Sequence, residues 1–238
     1  NEDTPLHMAS WKGHVNIVSL LLENGADLNI ADKDGFTPLG VAQDNENQTC
    51  VAAILRQQVD NDLYDASKNG DLEEAKGAIE KGANVKATDE NGDTPLHFAS
   101  ANGNAGIALL LLENSADVNS QNKHGVTPLH IAGWNGHDAV VLLLLENGAN
   151  VNAQRNDGDT ALHKVCRYGR DTLVTLLLEH GANPRITNAK GHTPLQVAQE
   201  CDKQDCVDAI EGFRQVQEGT KTLMELKKEQ LPEDMQRI

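Results

Sequence analysis

Histidine is the residue type in this chain with the widest range of possible chemistry. The sequence contains nine histidines and four cysteines, which could act as metal ligands or as acid–base groups. Four of the histidines, His7, His97, His130 and His163, are the last residue of the same tetrapeptide. The catalytic motifs G-x-x-x-x-G-K-[ST], G-x-S-x-G and H-E-x-x-H do not occur in the sequence. The histidines therefore follow a structural repeat and not a catalytic motif.

The tetrapeptide Thr-Pro-Leu-His, or a close variant of it, recurs at a nearly constant interval. It begins at Thr4, Thr37, Thr94, Thr127, Thr160 and Thr193. These starts are 33, 57, 33, 33 and 33 residues apart, and the interval of 57 divides into 24 and 33 if a degenerate copy begins at Asn61. Thr is a favoured N-cap and Pro suits the first helical position, so each copy predicts the start of a short helix. A glycine such as Gly13 then ends that helix, and a largely apolar second helix follows.

A period of 33 residues, with T-P-L-H and a later L-L-L-E-x-G-A-x-V-N run, resembles the ankyrin repeat. Seven copies extend from Asn1 to about Phe213. The resemblance implies an all-α solenoid of stacked helix–turn–helix units, each preceded by a β-turn loop called a finger. It also implies that the chain binds proteins and has no catalytic activity.

The resemblance gives the tetrapeptide histidines a structural role, because in this family the ring hydrogen-bonds neighbouring backbone. Successive rings would lie on successive stacked helices, roughly 8 to 10 Å apart. That separation is too large for one metal ion with bonds of about 2 Å. We therefore expect no metal site, no cofactor and no catalytic residue.

The interval of 24 residues predicts a division between two arrays. After the second repeat the next finger is missing, and Glu46 stands where other repeats have the interhelical glycine; the last repeat has Asp202 there. We predict that residues 1–60 are the last two repeats of a first array, the second of them cap-like, and that residues 61–214 are a five-repeat array with its own caps. Because about three repeats are needed for stability, residues 1–60 must dock on the third repeat, on another molecule or on residues upstream.

The segment 215–238 lies beyond the repeats. Leu223, Leu226 and Leu231 have near-helical spacing before Pro232, which favours a C-terminal helical extension packed on the last repeat. A linker to another domain and a partner-binding tail are the alternatives.

Charge and composition restrict the class of partner. The net charge of −16 argues against nucleic acid, whose binding requires Lys and Arg on the phosphates, and favours a protein or peptide with a basic or mixed surface. No apolar stretch approaches membrane-spanning length, so direct membrane insertion is not expected. The cysteines lack C-x-x-C spacing and are interpreted as buried reduced thiols of a cytoplasmic protein. The chain begins without Met inside a finger, so we expect it to be a fragment.

In the ankyrin family, partners contact the concave side, at the fingers and at the exposed end of the first helix. The resemblance therefore places a binding surface at the residues in those positions, namely Trp134, Arg167, Tyr168, Lys123, His124, Val126, Asp159, Trp11 and Phe36. Trp134, Arg167 and Tyr168 are expected to form its centre, because aromatic residues and Arg are enriched in interface hot spots. The alternative is that Trp134 and Tyr168 pack against neighbouring repeats.

Two residues of the sixth repeat depart from the pattern. Lys164 occupies the inward position held by Met8, Phe98 and Ile131, and Arg185 replaces the Asn of the V-N motif. A charge at position 164 must reach solvent or a carboxylate.

Two other functions stay open from the sequence. The chain could be the recognition segment of a larger enzyme or channel. It could also be a substrate, because Asn29, Asn119 and Asn152 stand in L-L-E-x-x-A-x-[LV]-N contexts resembling those that asparagine hydroxylases modify in this family.

Overall fold

The structure is a computed structural model that describes residues 2–229, and in that range it contains thirteen α-helices and no β-strand. The helices are α1 (Pro5–Lys12), α2 (Val15–Glu23), α3 (Pro38–Asp44), α4 (Gln48–Asn69), α5 (Leu72–Glu80), α6 (Pro95–Ala101), α7 (Ala105–Glu113), α8 (Pro128–Asn135), α9 (Asp138–Glu146), α10 (Ala161–Tyr168), α11 (Asp171–Glu179), α12 (Pro194–Glu200) and α13 (Gln204–Glu229). The chain divides into two compact units, unit 1 up to Pro128 and unit 2 from Leu129. The all-α prediction is confirmed.

The first helix of each complete repeat begins at the predicted Thr. At α1, the Thr4 hydroxyl accepts a hydrogen bond from the His7 backbone N–H at 3.4 Å, and His7 Nδ1 accepts one from the Thr4 backbone N–H at 3.1 Å. The last repeat uses the same reciprocal arrangement with Thr193 and Gln196. These bonds satisfy backbone donors that the first turn of a helix leaves without partners.

The turn between the two helices of a repeat needs a left-handed backbone. Gly13 supplies it with φ 70° in the first repeat, as the sequence predicts. Glu46 and Asp202 adopt the same conformation, with φ of 56° and 53°, although neither is a glycine. The turn is therefore kept in the two repeats whose sequence departs from the pattern, at the cost of backbone strain.

Helix α4 joins the second and third repeats without interruption. In its first half, Cys50 and Ile54 are buried with Leu6 and Val18 in the core of the first two repeats. In its second half, Leu63 is fully buried, and α4 packs on α5 and α6. One helix therefore provides both the second helix of repeat two and the first helix of repeat three, where no finger separates them.

The boundary predicted after residue 60 falls inside α4. Asp60 is buried there, and its Oδ1 accepts a hydrogen bond from the Asn84 backbone N–H at 2.6 Å. Tyr64, which replaces the tetrapeptide histidine, packs edge-on against Phe98 with ring centroids 5.6 Å apart. The division into arrays 1–60 and 61–214 stays a prediction.

Helix α13 has the same character as α4. It starts as the second helix of the last repeat, with Cys206 and Ile210 buried, and continues without a break to Glu229. Residues 214–219 are all exposed. The predicted extension 215–238 is thus helical up to Glu229, and its residues 230–238 lie outside the described part of the chain.

All four cysteines are free thiols. Cys50, Cys166 and Cys206 are buried free thiols, and Cys201 is a half-buried one. Within residues 2–229, no helix combines the length and apolar character needed to cross a membrane.

Candidate protein-binding surface

The tetrapeptide histidines connect each repeat to the finger that follows it. Because Nδ1 accepts the backbone N–H of the tetrapeptide Thr, Nε2 carries the ring proton and donates it to a carbonyl 29 residues further on. The acceptors are the carbonyls of Phe36 for His7 (3.0 Å), Val126 for His97 (3.0 Å), Asp159 for His130 (3.2 Å) and His192 for His163 (3.0 Å). All four rings are buried. They hold fingers in place, as the family resemblance implies.

Burial keeps three of these rings neutral. Desolvation lowers the pKa of His97 and of His163, and it lowers the pKa of His130 to about 4. The hydrogen bond from each ring to a backbone carbonyl acts in the opposite direction but does not offset burial. A neutral ring already bonded through both nitrogens is unsuited to metal binding or to proton transfer. Among the described residues, no group of His, Cys, Asp or Glu has the arrangement of a metal site.

The fingers are closed by side chains that accept backbone hydrogen bonds. Asp32 Oδ1 accepts the N–H groups of Asp34 and Phe36, both at 2.9 Å. The equivalent residues Asp89, Asn122 and Asn188 make the same pair of bonds. These short loops are therefore fixed by one inward Asp or Asn side chain each, and their outer side chains can vary.

The sixth repeat contains a buried ion pair. Lys164 Nζ lies 2.8 Å from Asp159 Oδ2 and 3.8 Å from Asp157 Oδ2, and Asp159 Oδ1 accepts a further bond from the Asn188 amide at 2.8 Å. Burial by itself raises the pKa of Asp159, but the hydrogen bonds from Lys164 and Asn188 outweigh it and lower that pKa overall. The inward lysine thus reaches a carboxylate of its own repeat.

Two residues of the predicted binding surface, Asp159 and Val126, are buried in the structure. Asp159 is buried and already bonded twice, and Val126 is buried as well, with its carbonyl bonded to His97. Both were expected at the surface because they occupy the finger position that precedes the tetrapeptide. The structure turns these side chains inward, so neither presents a contact to a partner.

The other predicted contact residues are accessible to different degrees. In unit 1, Trp11 and Phe36 expose 47% and 43% of their surface, and Lys123 and His124 are exposed in their finger. In unit 2, Tyr168 exposes 55%, whereas Trp134 and Arg167 are half-buried. Tyr168 and Arg167 are adjacent at the end of α10, and Trp134 is near the end of α8. Their role as the centre of a binding surface stays a prediction.

A recess in unit 1 was not predicted from the sequence. Its volume is about 420 Å³. It is lined by residues of two fingers, of α1 and of α3: Asp3, His7, Met8, Trp11, Asp32, Phe36, Val41, Asp44 and Asn45. Met8, expected to point inward, exposes 45% of its surface here. The signal in the sequence was the occurrence of Trp11 and Phe36 in consecutive repeats, since α1 and α3 pack together.

The remaining predicted residues are distributed along the chain. Asn29 and Asn119 are exposed. Asn152 is half-buried, and its side-chain amide bonds the Gly181 carbonyl and the Asn183 N–H. Arg185 is exposed beside a recess of about 280 Å³ that Phe213 and Arg214 also line.

Comparison with known proteins agrees with the fold. Family models described as ankyrin repeats match residues 1–65, 63–155 and 144–198. A fowlpox virus protein named as an ankyrin repeat protein is 36% identical over 91 residues, which are 36% of this chain and 14% of that protein. A palmitoyltransferase of Lachancea kluyveri is 34% identical over 102 residues, or 37% of this chain and 14% of the enzyme.

A third relative is the ARF GTPase-activating protein Git of Drosophila melanogaster, which is 40% identical over 57 residues, or 24% of this chain and 8% of that protein. The matched part is thus between 8% and 14% of the length of these three relatives. In these three proteins the similarity covers a small part of the relative and not its whole length.

Proposed function

The chain belongs to the ankyrin repeat family, and from that premise we propose that it is a non-catalytic protein-binding module or scaffold. Its partner is a protein or peptide with a basic or mixed surface, bound on the fingers and on the ends of the first helices. The chain takes no cofactor or metal and acts in the cytoplasm. Its strongly negative charge disfavours nucleic acid.

One observation supports this proposal above the others. In the described part of the chain, the aromatic residues among the exposed large apolar side chains are Trp11, Phe36 and Tyr168. Each of them stands at a finger or at the end of a first helix. Exposed aromatic surface is unfavourable in water and is a common feature of binding hot spots.

We place the main contact in unit 2 at Trp134, Arg167 and Tyr168. Trp134 and Arg167 hold the same position in successive repeats, and Tyr168 follows directly. Half-burial of Trp134 and Arg167 would fix their side chains before binding, which reduces the entropy lost on association. Lys123 and His124 contribute a second, basic contact in unit 1.

Affinity capture from a cell lysate, followed by mass spectrometry and measurement of the dissociation constant of the captured partner, tests the proposal. We expect Ala substitution of a central residue to weaken binding about thirtyfold, which corresponds to about 2 kcal/mol. Tyr168→Ala should leave the melting temperature nearly unchanged because the side chain is exposed. Unchanged affinity in all three variants would exclude this surface, and a large fall in melting temperature would show that the residues serve packing.

A second candidate function is recognition within a larger enzyme. The observation that favours it is the match to a small part of the Lachancea kluyveri palmitoyltransferase. Determining the coding sequence on both sides of the chain decides this candidate, because an adjoining catalytic domain would establish it. Modification of Asn29 or Asn119 by an asparagine hydroxylase is compatible with their exposure, and mass spectrometry of the purified chain would detect the added oxygen atom.

A further inference from the structure

We propose that the recess in unit 1 binds a protein segment in which a large apolar side chain stands next to lysine or arginine. This inference rests on the proposed protein-binding function. It adds a contact separate from Trp134, Arg167 and Tyr168 and from the finger residues Lys123 and His124, and it states the chemistry of the segment that this contact accepts.

Four of the nine residues that line the recess are apolar. Met8 and Trp11 come from α1, Phe36 from the second finger and Val41 from α3. Met8, Trp11 and Phe36 each keep close to half of their surface exposed. Water is removed from this surface only when another apolar group enters, and that removal is the main favourable contribution to association. The flexible side chain of Met8 in the lining also lets the recess adapt to the shape of the entering side chain.

The lining of the recess is also acidic. Three carboxylates, those of Asp3, Asp32 and Asp44, line it, and its lining within the described chain contains no Lys or Arg. Asp3 and Asp44 are exposed. An acidic partner would be repelled as these carboxylates lose water, whereas a basic side chain beside the apolar one would be attracted. Charge complementarity therefore selects a basic segment over an acidic one.

The ring of Trp11 already interacts with a cation. The ammonium of Lys12 lies 3.8 Å from the centroid of that ring. The π face of Trp11 is thus positioned to bind a positive charge, and Lys12 competes for it with an incoming Lys or Arg. We expect Lys12→Gln to preserve binding or to strengthen it.

The chain itself provides substitutions that the fold accepts. Ala101 and Asp93 occupy, in the fourth repeat, the positions of Trp11 and Phe36. Trp11→Ala and Phe36→Asp therefore remove the apolar walls without introducing a residue foreign to those positions. Leu20→Ala is the matched control, because Leu20 exposes 58% of its surface on α2 and does not line the recess.

The test uses a random peptide display library selected on the full 238-residue chain, with counter-selection on the Trp11→Ala/Phe36→Asp variant. The recovered peptides should be enriched in Lys or Arg beside a large apolar residue and depleted in Asp and Glu. A synthetic copy of the most enriched peptide should bind Trp11→Ala about thirtyfold more weakly than wild type, as for a hot-spot residue. Its binding to Leu20→Ala should be unchanged.

Two further measurements separate charge from packing. The double variant Asp3→Asn/Asp44→Asn should bind the same peptide more weakly, and that binding should be less sensitive to salt. Thermal melting should show that the variants remain folded. If a variant with Phe36→Asp has a much lower melting temperature than wild type, Phe36→Val is used in its place, because valine is the equivalent residue of the fifth finger.

The inference is overturned if the recovered peptides are acidic or uncharged, if they bind wild type and the recess variant equally, or if no peptide is enriched. Peptides that bind the recess variant but not Tyr168→Ala would show that the recess is not their binding site. The proposed protein-binding function would still be supported.

Discussion

Lys164 Nζ lies 2.8 Å from Asp159 Oδ2, with only 10% and 4% of the two side chains exposed. Lys164 departs from the repeat pattern, whereas the aspartate at position 159 has an equivalent in Asp93 of the fourth repeat. At the equivalent positions the fifth repeat has Ile131 and Val126, so charged residues in one repeat stand where another repeat has apolar ones. A buried charge is tolerated when its partner and additional hydrogen bonds are in place, and Asn188 provides such a bond.

We predict that Asp159→Val destabilises the chain because it removes the nearer carboxylate from the buried Lys164 ammonium. The loss should be smaller than the roughly 3 to 5 kcal/mol of a fully unpaired buried charge, since Asp157 Oδ2 remains 3.8 Å from Lys164 Nζ. The double variant Asp159→Val/Lys164→Ile introduces the residues that the fifth repeat has at these positions. Its free energy of unfolding should be closer to that of wild type than the value for Asp159→Val. Denaturant unfolding of the single and double variants measures the coupling. Additive effects of the two substitutions would contradict the prediction.

The second prediction is that stability falls as pH decreases from about 6.5 to about 4. In this interval the histidines of the unfolded chain become protonated, because their ordinary pKa is about 6.5. His130 of the folded chain stays neutral, because burial lowers its pKa to about 4. The unfolded state then binds more protons, so acid favours unfolding. The lowered pKa values of buried His97 and His163 act in the same direction.

His130→Gln tests the contribution of one ring. Gln196 occupies the equivalent position in the last repeat, where its Oε1 accepts the Thr193 N–H at 2.8 Å, so glutamine preserves the helix start. We expect a loss of about 1 kcal/mol near neutral pH from the missing ring hydrogen bond. The further loss on acidification should be smaller than in wild type. Equal slopes against pH in denaturant unfolding would show that His130 does not contribute.

The third prediction concerns the proposed arrays. Residues 61–238 should fold alone, whereas residues 1–60 should not, because two repeats are fewer than the three or so needed to bury a stable core. Expression of both pieces and thermal melting by circular dichroism test this. The division fails if the short piece melts cooperatively as a monomer or if the long piece is unfolded.

A longer second piece serves as the control. The cut after residue 60 removes the bond from the Asn84 N–H to Asp60. A piece that begins at Gln58 keeps that bond and should melt at a higher temperature than residues 61–238.

The fourth prediction uses the left-handed backbone at Ser115, where φ is 67°. Gly148 holds the equivalent position in the next repeat, with φ 84° and no atom within 4 Å of the site of a Cβ. Ser115→Gly should therefore stabilise the chain, and Gly148→Ser should destabilise it, each by about 1 kcal/mol, since a Cβ is unfavourable in this conformation. Differential scanning calorimetry of the two variants should show melting temperatures that move in opposite directions; shifts of the same sign would contradict the prediction.

The sequence determined the repeat register, the starts of the first helices and the structural role of the tetrapeptide histidines. The helix starts and ends depend on local chemistry: Thr4 and His7 are three residues apart and cap the same helix turn, and Gly13 ends that helix through its own φ. The role of the histidines came from the family resemblance, because each ring also bonds a carbonyl 29 residues away. Because the period is fixed, the same helix start and the same turn recur in successive repeats. Membership of the ankyrin repeat family followed from the same residues.

Only the tertiary structure decided which variable positions face solvent. Asp159 turned inward because Lys164 and Asn188 meet it, and Asn188 lies 29 residues away in the chain. Helix α4 runs through the expected boundary because its two halves pack into successive repeats. The recess likewise depends on side chains of α1, α3 and two fingers that meet in space. The residue spacing within one repeat does not predict such contacts between repeats.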